Sequence, residues 1–130
     1  MLILTLRTDK PEAELGLHND RAQLAHVTWQ AHRQLAETIH TKLQELLTSA
    51  SKQLADLQAI VIYEGPGSFT GLRIGMSVAN ALAYSYHIPV IAKTGDDWVN
   101  LGIKAVLSGQ KNEIALPHYG AEVHITLQKK

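Results

Sequence analysis

The spacing of apolar residues changes once along this chain, and that change limits the folds available to it. Up to residue 29, apolar residues alternate with polar ones or run in short blocks, at positions 2–6, 13–18 and 22–29. From residue 32 to residue 48 they recur every three to four positions instead. Alternation is typical of strands, and the longer period is typical of an amphipathic helix. The sequence therefore predicts three antiparallel strands followed by a helix.

The predicted first helix, residues 32–48, has one apolar face. At 100° per residue its apolar side chains fall within about 120° of arc. They are Leu35, Ala36, Ile39, Leu43, Leu46 and Leu47. Arg33, Glu37, His40 and Gln44 point away from that face. We therefore expect one side of the helix to pack on the sheet and the other side to be exposed.

Strands and helices alternate over the next part of the chain. The short apolar blocks at 58–63 and 89–92 are predicted strands, and residues 72–86 between them are a predicted second helix. Together with a third predicted helix after the last strand, the predicted order is βββ-α-β-α-β-α. This order is typical of a mixed sheet with helices on its faces.

A third helix is expected after the last of these strands. Thr94 is its predicted cap, Asp96 and Asp97 are placed in its first turn, and Gly109 marks its end. Carboxylates near a helix start complement the helix dipole, and this role explains Asp96 and Asp97 better than acid–base catalysis does.

The predicted main domain is 1–109, and residues 110–130 are a predicted C-terminal tail. Short extended segments are expected within the tail at 113–116 and 122–127. A chain of 130 residues predicts one domain with a core of its own.

Composition excludes several classes of protein. Twelve Lys and Arg side chains balance twelve Asp and Glu, so the formal charge is zero with histidine neutral. A balanced charge provides no field for autonomous nucleic-acid binding. The absence of cysteine excludes disulfides, thiolate zinc sites and a cysteine nucleophile. We expect neither a signal peptide nor a membrane-spanning helix, because charges follow the first apolar residues and no long apolar run occurs.

The second helix carries more apolar surface than a sheet alone covers. Its polar residues Arg73, Ser77, Asn80 and Tyr84 occupy only about 60° of the wheel. The rest is apolar or small and needs cover on a second side. Two readings are open: burial under other parts of the same chain, or docking of a protein partner on this helix.

A glycine-rich loop precedes that helix and presents two alternatives. It contains Gly65, Gly67, Ser68, Thr70 and Gly71 between a buried strand and a helix start. Such a junction offers free N–H groups to an anion, which makes these five residues a weak phosphate-binding candidate. The spacing matches neither the dinucleotide fingerprint nor the Walker loop. The other reading is a tight strand-to-helix turn capped by Ser68 or Thr70.

No residue pattern predicts resident catalysis. Seven histidines is a high count, yet neither H-x-x-x-H nor H-E-x-x-H spacing occurs. Ser68 lacks the second glycine of a nucleophile elbow, since Thr70 stands at that position. We therefore expect no bound metal, no cofactor and no catalytic residue in this chain.

Residues 59–92 resemble the signature of a known family. The loop reads GPGSFTGLRIG from Gly65 to Gly75, and Ile88-Pro89-Val90 follows the second helix. This segment is similar to the TsaB family, the bacterial tRNA threonylcarbamoyladenosine biosynthesis proteins. The opening MLILTLRTD and the helix around His32 resemble that family's first strand and first helix. The resemblance covers about residues 1–105.

The resemblance implies an actin-like, ribonuclease-H-like fold with a mixed five-stranded sheet, of which this chain would hold the first of two subdomains. It implies a cytoplasmic, non-catalytic scaffold. The paralogue TsaD transfers the threonylcarbamoyl group to adenosine 37 of tRNAs that read ANN codons, and the ATPase TsaE joins the pair. Actin-like ATPases place an acidic residue near nucleotide and Mg²⁺ where this chain has Arg7, whose charge would repel the cation. ATP and Mg²⁺ are thus expected on partner proteins.

In the TsaB family the two helices of the first subdomain bind TsaD, which implies a partner interface on this chain. The predicted interface residues are Leu72, Arg73, Met76, Ala79, Asn80, Ala83, Tyr84, Arg33, Glu37 and His40. The same surface is expected to form a homodimer when no partner is present. Two alternatives stay open: a stand-alone nucleotide binder or weak ATPase using the glycine-rich loop, and, weakest, a glycoprotease-like peptidase.

Overall fold

The three N-terminal strands form where the alternating pattern predicts them. β1 (Leu2–Arg7) pairs antiparallel with β2 (Glu12–Asn19), and β2 pairs antiparallel with β3 (Ala22–Gln30). On β3 the apolar residues of the alternating segment 22–29, Ala25, Val27 and Trp29, are half-buried. The residues between them are exposed. The strand periodicity read from the sequence is therefore confirmed.

The computed structural model describes residues 1–110. The tail segments predicted at 113–116 and 122–127 lie outside the described residues.

Two further strands extend the sheet on the other side of β1. β4 (Ala59–Tyr63) and β5 (Val90–Lys93) run parallel to β1, so that the order is β3-β2-β1-β4-β5. Parallel neighbours require a crossover connection, which a helix supplies here between β4 and β5. The predicted mixed five-stranded sheet is confirmed.

Helices cover both faces of the sheet. α1 (Leu35–Ser49) and α2 (Phe69–Tyr86) pack on the face formed by the even-numbered residues of β1 and β4. α3 (Trp98–Leu107) packs on the opposite face, against Ile3, Val61 and Ile91. Since successive side chains of a strand point to opposite faces, the two cores draw on alternate residues of the same strands.

The helix starts differ from the prediction at two places. His32–Gln34 form a 3-10 turn, so α1 begins at Leu35, and its Ala36 is exposed although it was expected on the apolar face. α2 begins at Phe69, three residues earlier than predicted, because Ser68 caps it.

The predicted start of the third helix is wrong. Thr94 is not its cap. Gly95 has a left-handed conformation with φ +90, which a helix does not allow, and α3 begins only at Trp98. Asp96 and Asp97 therefore precede the first turn, and Asp97 occupies the cap position without a side-chain bond to the backbone. The Asp97 carboxylate instead accepts a hydrogen bond from the Asn100 side chain at 2.8 Å. The predicted end fits, since α3 stops at Leu107 and Gly109 has φ +90.

No helix within residues 1–110 combines the length and the apolar character needed to cross a bilayer.

His18, a buried polar residue on β2, lies beside Ile3 on the face of the sheet opposite α1 and α2, and it predicts a pH dependence. It is 6% exposed, and its Nδ1 has no hydrogen-bond partner among the described residues. Burial and the nearby His26 lower the pKa of His18 below its ordinary value of 6.5. Below that pH the unfolded chain binds more protons at this site than the folded chain, so the free energy of unfolding falls as pH falls.

We expect urea titrations to show this fall between pH 6.5 and the lower folded pKa, with a slope of at most about 1.4 kcal/mol per pH unit from one proton. His18→Leu removes the titrating group and is expected to flatten the curve in that range. An unchanged slope in His18→Leu would assign the pH dependence to other groups.

Candidate docking surface and the loop that begins it

α2 is divided lengthwise into a buried half and an exposed half. The buried residues are Gly71, Leu72, Gly75, Met76, Ala79 and Ala83. The exposed residues are Phe69, Thr70, Arg73, Ser77, Ala81, Tyr84, Ser85 and Tyr86. At 100° per residue the exposed residues from Phe69 to Ser85 span about 160° of the wheel, much more than the polar sector of about 60° predicted from the sequence. Tyr86 lies apart from them, at the end of the helix. The helix therefore keeps a broad solvent-exposed face.

Four of the ten predicted interface residues are core residues, which corrects the prediction. Leu72, Met76, Ala79 and Ala83 are at most 5% exposed and belong to the hydrophobic cores under α2. Their side chains are covered by the chain itself and offer no surface to a partner. A helical wheel shows that a stripe is apolar, but it does not show whether the sheet or a partner covers it.

The other six predicted interface residues are accessible. Arg73 and Tyr84 are exposed on α2, where Asn80 is half-buried. Arg33, Glu37 and His40 are exposed on the 3-10 turn and on α1.

A groove runs between α1 and α2 and brings residues of the two helices together. It has a volume of about 400 Å³. Its lining residues are Ala36, Ile39, His40, Thr70, Arg73, Ile74, Ser77 and Val78. His40 and Arg73 thus meet in one groove, as predicted interface residues from different helices. Ile74 and Val78 are not among the predicted interface residues, although their spacing of four residues along α2 was a signal available in the sequence.

An aromatic and cationic stripe follows the exposed face of α2. The Arg73 guanidinium lies 5.4 Å from the centroid of the Phe69 ring, a cation–π distance. Phe69 is 49% exposed and Tyr84 is 83% exposed. At 100° per residue these three residues fall within about 60° of the wheel. Arginine and aromatic residues are the types that dominate binding energy at protein interfaces.

The glycine-rich loop uses its own N–H groups within the chain. The Ser68 N–H donates to the carbonyl oxygen of Asp9 at 3.2 Å. The Gly71 N–H donates to Ser68 Oγ at 3.4 Å, so Ser68 is the cap and Thr70 is not. Of the other phosphate candidates, Gly65 makes the turn with φ 108. Two of the amides that such a junction can offer to an anion are thus already occupied.

Gly71 and Gly75, at the start of α2, allow the residue after β1, Thr8, to lie very close to the helix backbone. Thr8 Oγ1 donates to the carbonyl oxygen of Gly71 at 2.7 Å. A Cβ at Gly71 would overlap the Thr8 carbonyl oxygen, and a Cβ at Gly75 would overlap Thr8 Oγ1. Close packing therefore accounts for both glycines. No local pattern around Thr8 predicts this contact, since Gly71 lies far along the sequence.

Arg7 lies at the end of β1 and is paired with a carboxylate. Its Nε lies 2.8 Å from Asp9 Oδ1. Burial acts to lower the pKa of Arg7, but the hydrogen bond and the charge of Asp9 outweigh it, and the pKa is raised. Arg7 is therefore charged at any physiological pH and is held by a carboxylate.

Within residues 1–110, no group of three or more histidine, aspartate or glutamate side chains is arranged to hold a metal ion. His118 and His124 lie outside the described residues.

Comparison with known proteins identifies the family to which this fold and loop belong. Residues 27–93, just over half of the chain, match the family described as "TsaD: tRNA N6-adenosine threonylcarbamoyltransferase". The chain belongs to the TsaD family. The matched segment contains α1, the glycine-rich loop and α2.

Relatives within the TsaD family include proteins named TsaB, which confirms the resemblance found in the loop. The tRNA threonylcarbamoyladenosine biosynthesis protein TsaB of Escherichia coli is 35% identical over 91 residues, which are 70% of this chain and 39% of that protein. A tRNA N6-adenosine threonylcarbamoyltransferase of Chromobacterium violaceum is 36% identical over 110 residues, covering 70% of this chain and 31% of that protein. The chain thus spans less than half the length of these TsaD-family relatives.

Solved structures support the same fold. YeaZ from Pseudomonas aeruginosa aligns with a TM-score of 0.67 and 29% identity, covering 72% of this chain and 43% of that chain. RuvC of T. thermophilus, solved with a Holliday junction substrate, aligns with a TM-score of 0.53 and 13% identity over 87% of this chain and 82% of that chain, which shows the fold alone. The predicted actin-like, ribonuclease-H-like sheet of the TsaD family is confirmed.

Proposed function

We propose that this chain is a non-catalytic scaffold in tRNA threonylcarbamoyladenosine biosynthesis, which binds a TsaD-like catalyst through the exposed side of α2 and the adjoining face of α1. The relatives named for this pathway support the assignment. The observation that carries the docking role is the exposed stripe of Phe69, Arg73 and Tyr84 on α2. Large aromatic side chains with this much exposed area are typical of binding surfaces in soluble proteins.

The remaining parts of the proposed role follow from the family. TsaE joins through the complex and not through this chain alone, and tRNAs that read ANN codons are modified at position 37 by the catalyst. The proposed location is the cytoplasm, where these tRNAs are used. The neutral net charge of the chain supports an indirect contact with tRNA, through the complex.

Single charge reversals test the docking surface. Arg73→Glu is expected to weaken binding to the TsaD-like protein of the same organism by at least about tenfold, since a central interface arginine contributes more than about 1.4 kcal/mol. Lys104→Glu is the matched control, because Lys104 is exposed on α3 at the opposite face of the sheet. Calorimetric titration measures both affinities, and urea unfolding checks that both variants fold. Equal affinities for the two variants would place the interface elsewhere.

We also propose that the stripe on α2 pairs two copies of the chain when the partner is absent. A surface patch that pairs with its own copy forms a twofold dimer, and the dimer and the partner would then compete for one face. Light scattering of the chain alone is expected to show a dimer that the TsaD-like protein dissociates. A dimer that persists at saturating partner would contradict the shared surface.

A further inference from the structure

The carboxyl ends of β1 and β4 carry a buried ionic network that the docking surface does not use. Arg7 Nε lies 2.8 Å from Asp9 Oδ1, and the second guanidinium nitrogen lies 3.3 Å from Asp9 Oδ2. The Asp9 side chain is 5% exposed and that of Arg7 is 18% exposed. A carboxylate buried to this extent is unstable without a partner, and a two-point bond to arginine is the geometry that compensates it best.

Tyr63 holds the arginine from its other side and ties it to the glycine-rich loop. The Arg7 guanidinium lies 3.9 Å above the centroid of the Tyr63 ring. The Tyr63 hydroxyl donates to the carbonyl oxygen of Pro66 at 2.9 Å. The Arg7 guanidinium thus contacts both the Asp9 carboxylate and the Tyr63 ring, and the Tyr63 hydroxyl is hydrogen-bonded to the loop.

Asp9 in turn fills the inner side of that loop. Its Oδ2 lies 2.6 Å from the point where a Cβ on Gly67 would stand, so there is no free volume between the carboxylate and the loop backbone. The Ser68 N–H donates to the Asp9 carbonyl oxygen. A phosphate seated on this loop needs this space, these N–H groups and a nearby cation. The Asp9 carboxylate fills the space, its backbone carbonyl takes the Ser68 N–H, and Ser68 Oγ takes the Gly71 N–H. The nearby cation, Arg7, is paired with the same carboxylate.

We propose that Asp9 is the resident anion of the glycine-rich loop, held there by Arg7 and Tyr63, and that it closes the loop to phosphate-bearing ligands. The loop then holds the start of α2 in place without any bound ligand. Removing the carboxylate leaves the Arg7 guanidinium unpaired beside a hole the size of a carboxylate group. That hole is an anion site, and formate has the matching size and charge.

Chemical rescue tests the proposal on the full chain. Asp9→Ala is expected to lower Tm by about 10 °C or more, as the loss of one partner of a buried ion pair does. Sodium formate, against sodium chloride at equal ionic strength, is expected to restore about 5 °C. In Asp9→Ala combined with Arg7→Gln, formate is expected to have no effect, since the cation that would hold it is gone. Equal shifts in the single and the double variant, or no shift in either, would overturn the proposal.

The unaltered protein provides a second measurement that needs no variant to fold. Inorganic phosphate and Mg²⁺–ATP, titrated separately by calorimetry, are expected to give no saturable heat, because Asp9 fills the loop. Saturable binding of either ligand that is lost in Gly67→Ala would show that the loop is open and would refute a resident anion. Because these measurements use the chain alone, they remain decisive whether or not a TsaD-like protein binds α2.

Discussion

Replacing Ala79 with arginine is expected to prevent the chain from folding. Ala79 is fully buried, in the core cluster that α1, α2 and the sheet share. An arginine there brings a long side chain into a filled space and places an unpaired charge away from water. Each effect costs several kcal/mol, and together they are expected to remove about 5 kcal/mol or more, which is comparable with the whole stability of a small domain.

Ala81→Arg is the matched variant on the same helix, two positions later and on the exposed side. We expect it to change the free energy of unfolding by about 0.5 kcal/mol or less. Circular dichroism with urea titration of both variants measures the difference. If Ala79→Arg folded with the stability of Ala81→Arg, the burial of the inner half of α2 would be wrong. The pair also shows why Ala79 and Ala83 are unsuitable for mapping the interface: lost binding in those variants would report unfolding.

Gly71→Ala is expected to have a net cost of about 2 kcal/mol, although alanine is the better helix former. The added Cβ would overlap the carbonyl oxygen of Thr8, which is backbone and has no rotamer through which to move away. Relief requires a shift of α2 or of the connection after β1, with partial loss of the Thr8–Gly71 hydrogen bond. Overpacking of this kind costs about 3 kcal/mol, against a gain in helix propensity of about 1 kcal/mol.

Thr70→Ala is the control for Gly71→Ala, since it introduces the same residue one position earlier, at an exposed site in the same turn. It is expected to leave the urea midpoint nearly unchanged, whereas Gly71→Ala lowers the midpoint with little change in slope. A midpoint for Gly71→Ala at or above that of the unaltered chain would show that the close approach of Thr8 is not a constraint on the fold.

The local pattern of the chain was sufficient for the strands, for the mixed sheet and, apart from Ala36, for the buried face of α1. Val27 and Trp29 alternate with exposed residues on β3, and Ile39 and Leu43 recur at helical spacing on α1. These periods are properties of a few neighbouring residues, and they hold wherever the element lies in the fold. The loop string from Gly65 to Gly75 was equally local and was enough to recognise the family, which the comparison confirms.

The start of α3 shows where local rules fail. Thr94 is a good capping residue by type, but Gly95 adopts a left-handed conformation and delays the helix to Trp98. Capping preferences say which residue types suit a helix start whose position is known. They do not locate that start when the same few residues can form a turn instead.

The contacts around the glycine-rich loop and the burial of α2 depend on residues that are distant in the sequence. Thr8 and Asp9 are about sixty residues from Gly67 and Gly71 in the sequence, and only the pairing of β1 with β4 brings them together. An apolar or small residue on α2 has the same appearance on a wheel whether the sheet buries it, like Ala79, or solvent surrounds it, like Ala81. Periodicity records what each element prefers, whereas burial depends on which element lies opposite, and that choice is made by the packing of the whole chain.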